Sequence, residues 1–128
     1  MSQTKIKNRK SSLFLPLLLI GSLLIHIGIT YSVLPDKLPL LVCYIHIYLF
    51  SFLALSMFLV KKVKSIDETK VGLTFLALTL FKMMFAIGFL LIMFSLFPIE
   101  RIIVILHFFA PFFLYLIIEV LLTLKEIR

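Results

Sequence analysis

Lys82 and Glu119 are the charged residues that lie inside long apolar stretches of this sequence. Lys82 falls in the otherwise uncharged run from Val71 to Phe97, and Glu119 falls in the apolar run 102–124. A charge in the hydrocarbon interior of a membrane costs at least ~2.5 kcal/mol, so it is usually paired or functional. We expect the two side chains to form an intramembrane ion pair or to bind a charged group of a partner, with a proton or ion path as the alternative.

Helical geometry brings these two charges close in depth. At a rise of ~1.5 Å per residue, Lys82 lies ~16 Å and Glu119 ~8 Å from the same membrane surface, and each side chain leans toward the N-terminus of its own helix. An ion pair between consecutive helices is therefore geometrically reasonable. Snorkelling of Lys82 to the headgroups is a further interpretation. Glu119 shares its helix face with aromatic residues at spacings of three and four: Phe108, Phe112 and Tyr115.

Histidines of three apolar runs fall at a common predicted depth: His26, His46 and His107. The same arithmetic places them within ~5 Å of one level in the outer half of the membrane. Imidazoles at one level can ligate a haem or a transition metal, but His in membrane helices also serves as an interhelical hydrogen-bonding group. Because no cysteine or carboxylate accompanies them, the sequence favours a polar layer, with no metal and no cofactor.

A stripe of small residues indicates which face of the third apolar segment packs closely. Gly72, Thr79 and Ala86 recur every seven residues, a pattern that lets membrane helices approach one another. Lys82 lies on the flank of this stripe. The pattern therefore predicts a small-residue packing face and turns Lys82 toward the bundle interior rather than lipid.

Long apolar segments are the elements that position these residues. The 128-residue chain is 62% hydrophobic and only 15% charged, well below the ~25% charged residues of soluble domains. Four stretches exceed the ~18 residues that indicate a transmembrane helix, at about 13–34, 38–60, 71–97 and 102–124. These segments predict an all-α, four-transmembrane-helix bundle that forms a single membrane domain, residues 1–128.

Short connections predict that the helices pair as two antiparallel hairpins. Residues 35–37 (Pro-Asp-Lys) predict a turn between the first two helices, and residues 98–101 (Pro-Ile-Glu-Arg) predict one between the last two. In the middle connection, residues 65–68 (Ser-Ile-Asp-Glu) fit a capping box that begins the third helix before it enters the membrane.

Positive charges indicate the orientation. Ten Lys and Arg residues lie at the termini and in the connection 61–70, against two in the other connections. The positive-inside rule then places both termini and the 61–70 connection of this multi-pass chain in the cytoplasm. This basic ring predicts contact with membrane lipid. Nucleic-acid binding has no support, because no basic domain is present to carry it.

No constellation in the sequence is typical of an enzyme. The four glycines are dispersed, and there is no acidic cluster for a metal ion and no Ser-His-Asp set. Cys43 is the only cysteine, which excludes an internal disulfide and Cys-x-x-Cys redox chemistry. We expect a non-enzymatic membrane protein.

The segment from Val71 to Lys82 carries a family resemblance. A four-span chain of this length with a lysine midway along its third span resembles ATP synthase protein I, a four-span accessory protein of the bacterial F-type ATP synthase. That family has an acidic residue three positions before the lysine, where this chain has Thr79, and a polar residue where Glu119 stands. The pattern V-G-x-x-F-L-x-L-x-L-x-K also resembles a related uncharacterised family of four-span bacterial membrane proteins.

The resemblance implies an accessory role in assembly of the c-ring, the rotor of the ATP synthase membrane sector. Lys82 would pair with the mid-membrane carboxylate of the rotor subunit, which makes the c or a subunit the implied partner. Two other functions stay open from the residues alone. One is a small transporter or an ion- or proton-conducting subunit that uses Lys82 and Glu119, and the other is a haem-anchoring subunit that uses its histidines.

Overall fold

The chain is almost entirely helical in the part that the structure describes. The computed structural model gives the backbone of residues 2–33 and 38–127, and the side chains of residues 16–32 and 38–127. Four α-helices follow one another, and no strand occurs in these ranges: α1 Ser2–Val33, α2 Leu38–Ile66, α3 Val71–Leu96 and α4 Arg101–Ile127. The all-α class with four helices, predicted from the apolar segments, is confirmed.

Three of the described helical segments are long and apolar enough to cross a membrane. They are Leu38–Ile66 and Glu68–Leu96, with 29 residues each, and Arg101–Ile127, with 27. Each exceeds the ~20 residues that a ~30 Å hydrocarbon core requires, and a membrane protein is therefore indicated. In α1 the described apolar part is Pro16–Ser32, which is shorter than the ~20 residues that cross a hydrocarbon core. The first predicted span, 13–34, therefore stays a prediction.

The connection between α2 and α3 begins with a cap at Asp67. Ser65 lies inside α2, where its hydroxyl donates to the Lys62 carbonyl at 2.7 Å. The Asp67 carboxylate instead accepts from the amide (3.1 Å) and the hydroxyl (2.6 Å) of Thr69, and it starts a 3₁₀ turn, Glu68–Lys70, that leads into α3. The prediction of Ser65 as the capping residue is wrong, because α2 continues past it.

The connection between α3 and α4 is short, as the sequence predicts. Leu96 ends α3, and the Phe97 amide donates to the Met93 carbonyl at 3.0 Å. The Ile99 amide then donates to the Phe97 carbonyl at 2.8 Å, just before α4 begins. The turn predicted at residues 35–37 lies outside the described residues.

Contacts within the chain divide it into two compact units, Met1–Cys43 and Tyr44–Arg128. In the first unit, α1 continues through Pro16, and the Thr30 hydroxyl donates to the carbonyl of His26 at 3.0 Å. The second unit contains α2 from Tyr44 onward together with α3 and α4. The single domain predicted from the sequence stays a prediction.

Aromatic contacts join the three helices of the second unit. Tyr48 of α2 stacks on Phe89 of α3, with 4.4 Å between the ring centroids, and Phe89 contacts Phe108 of α4 at 5.7 Å. Lys82, earlier on α3, contacts Glu119, later on α4. Contacts between α3 and α4 therefore run in opposite order along the two helices.

Candidate functional site

The charged residues singled out by the sequence meet inside the second unit. The Lys82 ammonium donates to Oε2 of Glu119, and their side chains are only 3% and 0% exposed. The same ammonium lies 5.9 Å from the ring centroid of Phe112, over its face. The ammonium is thus contacted by a carboxylate and by an aromatic face, and both attract a cation.

Lys82 belongs to the few residues of α3 that are buried. Only 11% of the most apolar stretch of this segment is buried, against 39% for α2 and for α4. The buried residues of α3 repeat at helical spacing along one side: Val71, Lys82, Ala86 and Met93. The Lys82 side chain therefore faces α4 rather than the exposed surface that makes up most of α3.

Glu119 belongs to a wider enclosed face of α4. Its buried neighbours recur at spacings of three and four residues: Val104, Phe108, Pro111, Phe112, Tyr115, Ile118 and Thr123. The aromatic residues of this face fill the space beside the ion pair, and Phe108 stacks on Phe112 at 5.6 Å.

Tyr48 ties α2 to the same position on α3. Its hydroxyl donates to the backbone carbonyl of Lys82 at 3.1 Å, while its ring stacks on Phe89. The lysine is thus contacted through its backbone from α2 and through its side chain from α4. The sequence alone gave Tyr48 no such partner, because the bond depends on how α2 is rotated about its axis.

A second buried polar contact lies one turn before Glu119 on α4. Nδ1 of His46 and the hydroxyl of Tyr115 are 3.0 Å apart, and their rings meet edge to face with 5.6 Å between centroids. Both residues are buried. This bond joins α2 to α4 directly, as expected for a histidine that serves interhelical hydrogen bonding.

Two buried oxygens beside the pair have no hydrogen-bond partner among the described residues. They are Oε1 of Glu119 and Oγ1 of Thr123. Thr123 lies four residues after Glu119, so the two side chains are neighbours on one face of α4. Sequence reasoning missed Thr123, although a hydroxyl one turn from a buried carboxylate is a usable signal.

The other predicted site residues are more dispersed. His26 lies in the first unit, whereas His46 and His107 lie in the second, and the polar layer at one depth stays a prediction. Among the side chains that the structure describes, no group of three or more His, Cys, Asp or Glu residues is placed to hold a metal ion. A haem or metal role for the histidines therefore rests on the sequence alone.

The small-residue stripe of α3 is only partly enclosed. Ala86 is buried, Thr79 is half-buried with its hydroxyl donating to the Phe75 carbonyl at 2.9 Å, and Gly72 is exposed. A Cβ atom added at Gly72 would meet no described atom within 4 Å. A packing face that includes all three positions stays a prediction.

Lysines at the end of α2 contact Glu126 at the end of α4. Lys61 lies 3.9 Å from the Glu126 carboxylate, and the Lys64 ammonium donates to the backbone carbonyl of Glu126. Lysines that bond the last carbonyls of a helix also compensate its dipole.

Comparison of the chain with protein-family models, with curated proteins and with solved structures found no match.

Proposed function

We propose that this chain is a non-enzymatic integral membrane accessory protein that assists assembly of the membrane sector, the c-ring, of a bacterial F-type ATP synthase. The enclosed contact between Lys82 and Glu119 is the observation that supports an accessory role. It joins α3 to α4, so the two charges that would be costly in lipid are paired with each other inside the protein. The outer surfaces that remain are apolar, and they suit contact with lipid and with other membrane helices.

The helix most available to a partner is α3. It is the least enclosed of the three long apolar segments, and large side chains project from it along most of its length: Leu73, Leu76, Leu80, Phe81, Met83, Met84, Phe85, Ile87, Leu91, Ile92 and Leu96. A single helix with so much exposed surface suits a protein that docks beside other subunits. We assign partner binding to this helix.

The resemblance of the segment from Val71 to Lys82 to ATP synthase protein I names subunit c, or its neighbour subunit a, as the partner. A mid-membrane carboxylate of an unassembled subunit c is as costly to expose as Lys82 itself. In this chain, however, Glu119 already occupies the ammonium of Lys82. Binding through Lys82 is therefore a competition between the rotor carboxylate and Glu119.

Co-purification of the tagged chain from native membranes in mild detergent tests this proposal. If the two carboxylates compete, Glu119→Gln raises the recovery of subunit c and Lys82→Met lowers it. Glu100→Gln is the matched control, because it neutralises an exposed carboxylate in the α3–α4 connection and leaves recovery unchanged.

The same experiment separates binding from a purely structural role. If the pair only fixes the register of α3 and α4, both single variants lower recovery, and the double variant Lys82→Met/Glu119→Gln restores it. Recovery of a different complex by the unaltered chain, without any subunit of the ATP synthase, would contradict the assignment to that enzyme.

We also propose that the helices form two antiparallel hairpins in a bacterial inner membrane, with both termini cytoplasmic. The distribution of Lys and Arg supports the orientation, and the opposite order of the α3–α4 contacts supports the second hairpin. Reporter fusions test it. A fluorescent protein should fold when fused after residue 67 or at the C-terminus, and alkaline phosphatase should be active when fused after residue 36 or 99.

A second candidate function is an ion- or proton-conducting subunit. It is favoured by the buried Oε1 of Glu119, which has no partner among the described residues, since ionisable groups inside membranes often serve proton transfer. Purified protein in liposomes should then dissipate a pH gradient, and Glu119→Gln should abolish the flux. Equal flux from protein-free liposomes would remove this candidate.

A further inference from the structure

The ion pair uses only half of the Glu119 carboxylate. Oε2 accepts from Lys82, whereas Oε1 is buried and no donor in the described part of the chain reaches it. One turn further along α4, Oγ1 of Thr123 is in the same condition. No other side-chain nitrogen or oxygen that the structure describes is both buried and without a partner. The two such atoms thus belong to neighbouring residues on one helix face.

A pair of orphaned atoms at one place indicates a missing hydrogen-bonding group. Leaving a buried polar atom unbonded costs ~1–3 kcal/mol, and native proteins rarely do so. Side chains four residues apart on a helix have Cβ atoms ~5–6 Å apart. One small molecule that makes hydrogen bonds of ~2.7–2.8 Å to each side can bridge such a gap.

The chemistry of the two oxygens selects the bridging molecule. The carboxylate oxygen of Glu119 requires a donor, and the Thr123 hydroxyl can either donate or accept. A metal cation is disfavoured, because the ammonium of Lys82 already neutralises this carboxylate and a second positive charge would lie close to it in a low-dielectric interior. A neutral donor and acceptor of minimal size is required, and water meets that requirement.

We propose that Glu119 and Thr123 bind one buried water molecule, which donates to Oε1 of Glu119 and bonds to Oγ1 of Thr123. The site lies near the end of α4, since Ile127 follows Thr123 by one turn, ~6 Å along the axis. Oε2 of the same carboxylate accepts from Lys82, whose ammonium lies over the ring of Phe112.

Water-edited solid-state NMR of the whole protein in liposomes tests this site. The protein is labelled with ¹³C-glutamate, and the Glu119 carboxyl signal is assigned by its loss in Glu119→Gln. We expect magnetisation from water to reach Glu119 early in the unaltered protein. In Thr123→Val, which keeps the shape and removes the hydroxyl, the transfer should slow several-fold, whereas the exposed Glu68 and Glu100 should be unaffected.

Further variants keep the proposal falsifiable if Thr123→Val folds poorly. Thr123→Ser retains a hydroxyl and should retain the rapid transfer. Ser95→Ala is the matched control, because its hydroxyl bonds to the Ile92 carbonyl of its own helix and lies 13 residues, ~20 Å, beyond Lys82 along α3. Absence of transfer to Glu119 in the unaltered protein would overturn the proposal. Transfer that is unchanged in Thr123→Val would also overturn it, since the exchanging ammonium of Lys82 would then be the source.

The water site does not depend on the assignment to the ATP synthase. It follows from two buried oxygens on α4, and it would stand if co-purification identified another partner. Failure of the NMR experiment would in turn leave the accessory role untouched, because that role depends on Lys82 and on the exposed surface of α3.

Discussion

The contact between Lys82 and Glu119 should stabilise the packing of α3 against α4 in a way that neither residue provides alone. The perturbation is a double-mutant cycle with Lys82→Met, Glu119→Gln and the variant that carries both. Each single substitution leaves a buried polar or charged group without its counter-charge. Removing one partner of a buried pair typically costs ~3–5 kcal/mol, whereas replacing both is often close to neutral.

The burial of the pair sets the size of this effect. Side chains that are 3% and 0% exposed are not screened by solvent, so the ~0–1 kcal/mol typical of surface pairs does not apply. In Lys82→Met, Oε2 of Glu119 loses the one donor among the described residues that reaches this carboxylate, and we expect a loss near ~5 kcal/mol. In Glu119→Gln, the amide oxygen can still accept from Lys82, and the loss should be nearer ~3 kcal/mol.

The double variant should lose less free energy of unfolding than either single variant. Its methionine is apolar and flexible, and it can pack against the ring of Phe112, which contacts the Lys82 ammonium in the unaltered protein. No charge remains in the interior at this position. We therefore expect a coupling energy of at least ~5 kcal/mol between the two sites, well above the ~0.5 kcal/mol that independent sites show.

Unfolding by SDS in mixed micelles provides the assay. The chain has no tryptophan, so the near-ultraviolet circular dichroism of its four tyrosines, three of which lie in the second unit, reports unfolding. Lys62→Met and Glu100→Gln are matched controls at exposed positions, and each should change stability by less than ~0.5 kcal/mol. Single-variant losses that add within ~0.5 kcal/mol in the double variant would refute the reasoning.

Three further predictions concern other polar contacts of the second unit. Tyr115→Phe removes the hydroxyl that bonds His46 and should lower the free energy of unfolding by ~1–1.5 kcal/mol. Tyr48→Phe should lower it by only ~0.5–1 kcal/mol, because the Tyr48 hydroxyl is less enclosed. The same SDS titration checks both variants, and the reverse order would contradict the argument. Donation from the Thr69 hydroxyl and amide lowers the pKa of Asp67 from its ordinary 3.8. The cap is therefore fully present above pH 3.8 and lost as the pH falls through the lower folded pKa, and an NMR titration with a midpoint at or above 3.8 would count against it. Asp67→Ala should speed amide exchange at Thr69, whereas amides in the middle of α3 should keep their rates.

Much of the pairing of Lys82 with Glu119 follows from the sequence. Two isolated charges in long apolar runs are each too costly to leave alone. The short 97–100 connection makes α3 and α4 neighbours, and helical rise brings the two side chains to similar depth. Cost, connectivity and depth leave few other partners, and the structure places the two residues in contact.

The hydrogen bond from Tyr48 to the backbone of Lys82 could not be predicted in the same way. It depends on the rotation of α2 and α3 about their axes, and an apolar stripe normally reveals such a rotation. Here α3 is apolar on nearly all sides, so no such stripe marks the enclosed face. The capping prediction failed for a related reason, since Ser65 and Asp67 are both competent caps, and only the length of α2 decides between them.

A buried ion pair is a poor means of gaining stability alone, because an apolar pair of similar size would hold α3 and α4 about as well. What Lys82 and Glu119 add is selectivity, since only one register lets both charges be satisfied. They also leave the protein with an exchangeable contact. If a rotor carboxylate competes for Lys82 as proposed, the ammonium leaves Oε2 of Glu119, and a second water beside the one proposed at Oε1 can take its place. Accessory binding and internal hydration are thus compatible properties of one site, and the recovery of subunit c in Thr123→Val joins them: if water must replace Lys82, this variant binds subunit c less than the unaltered chain.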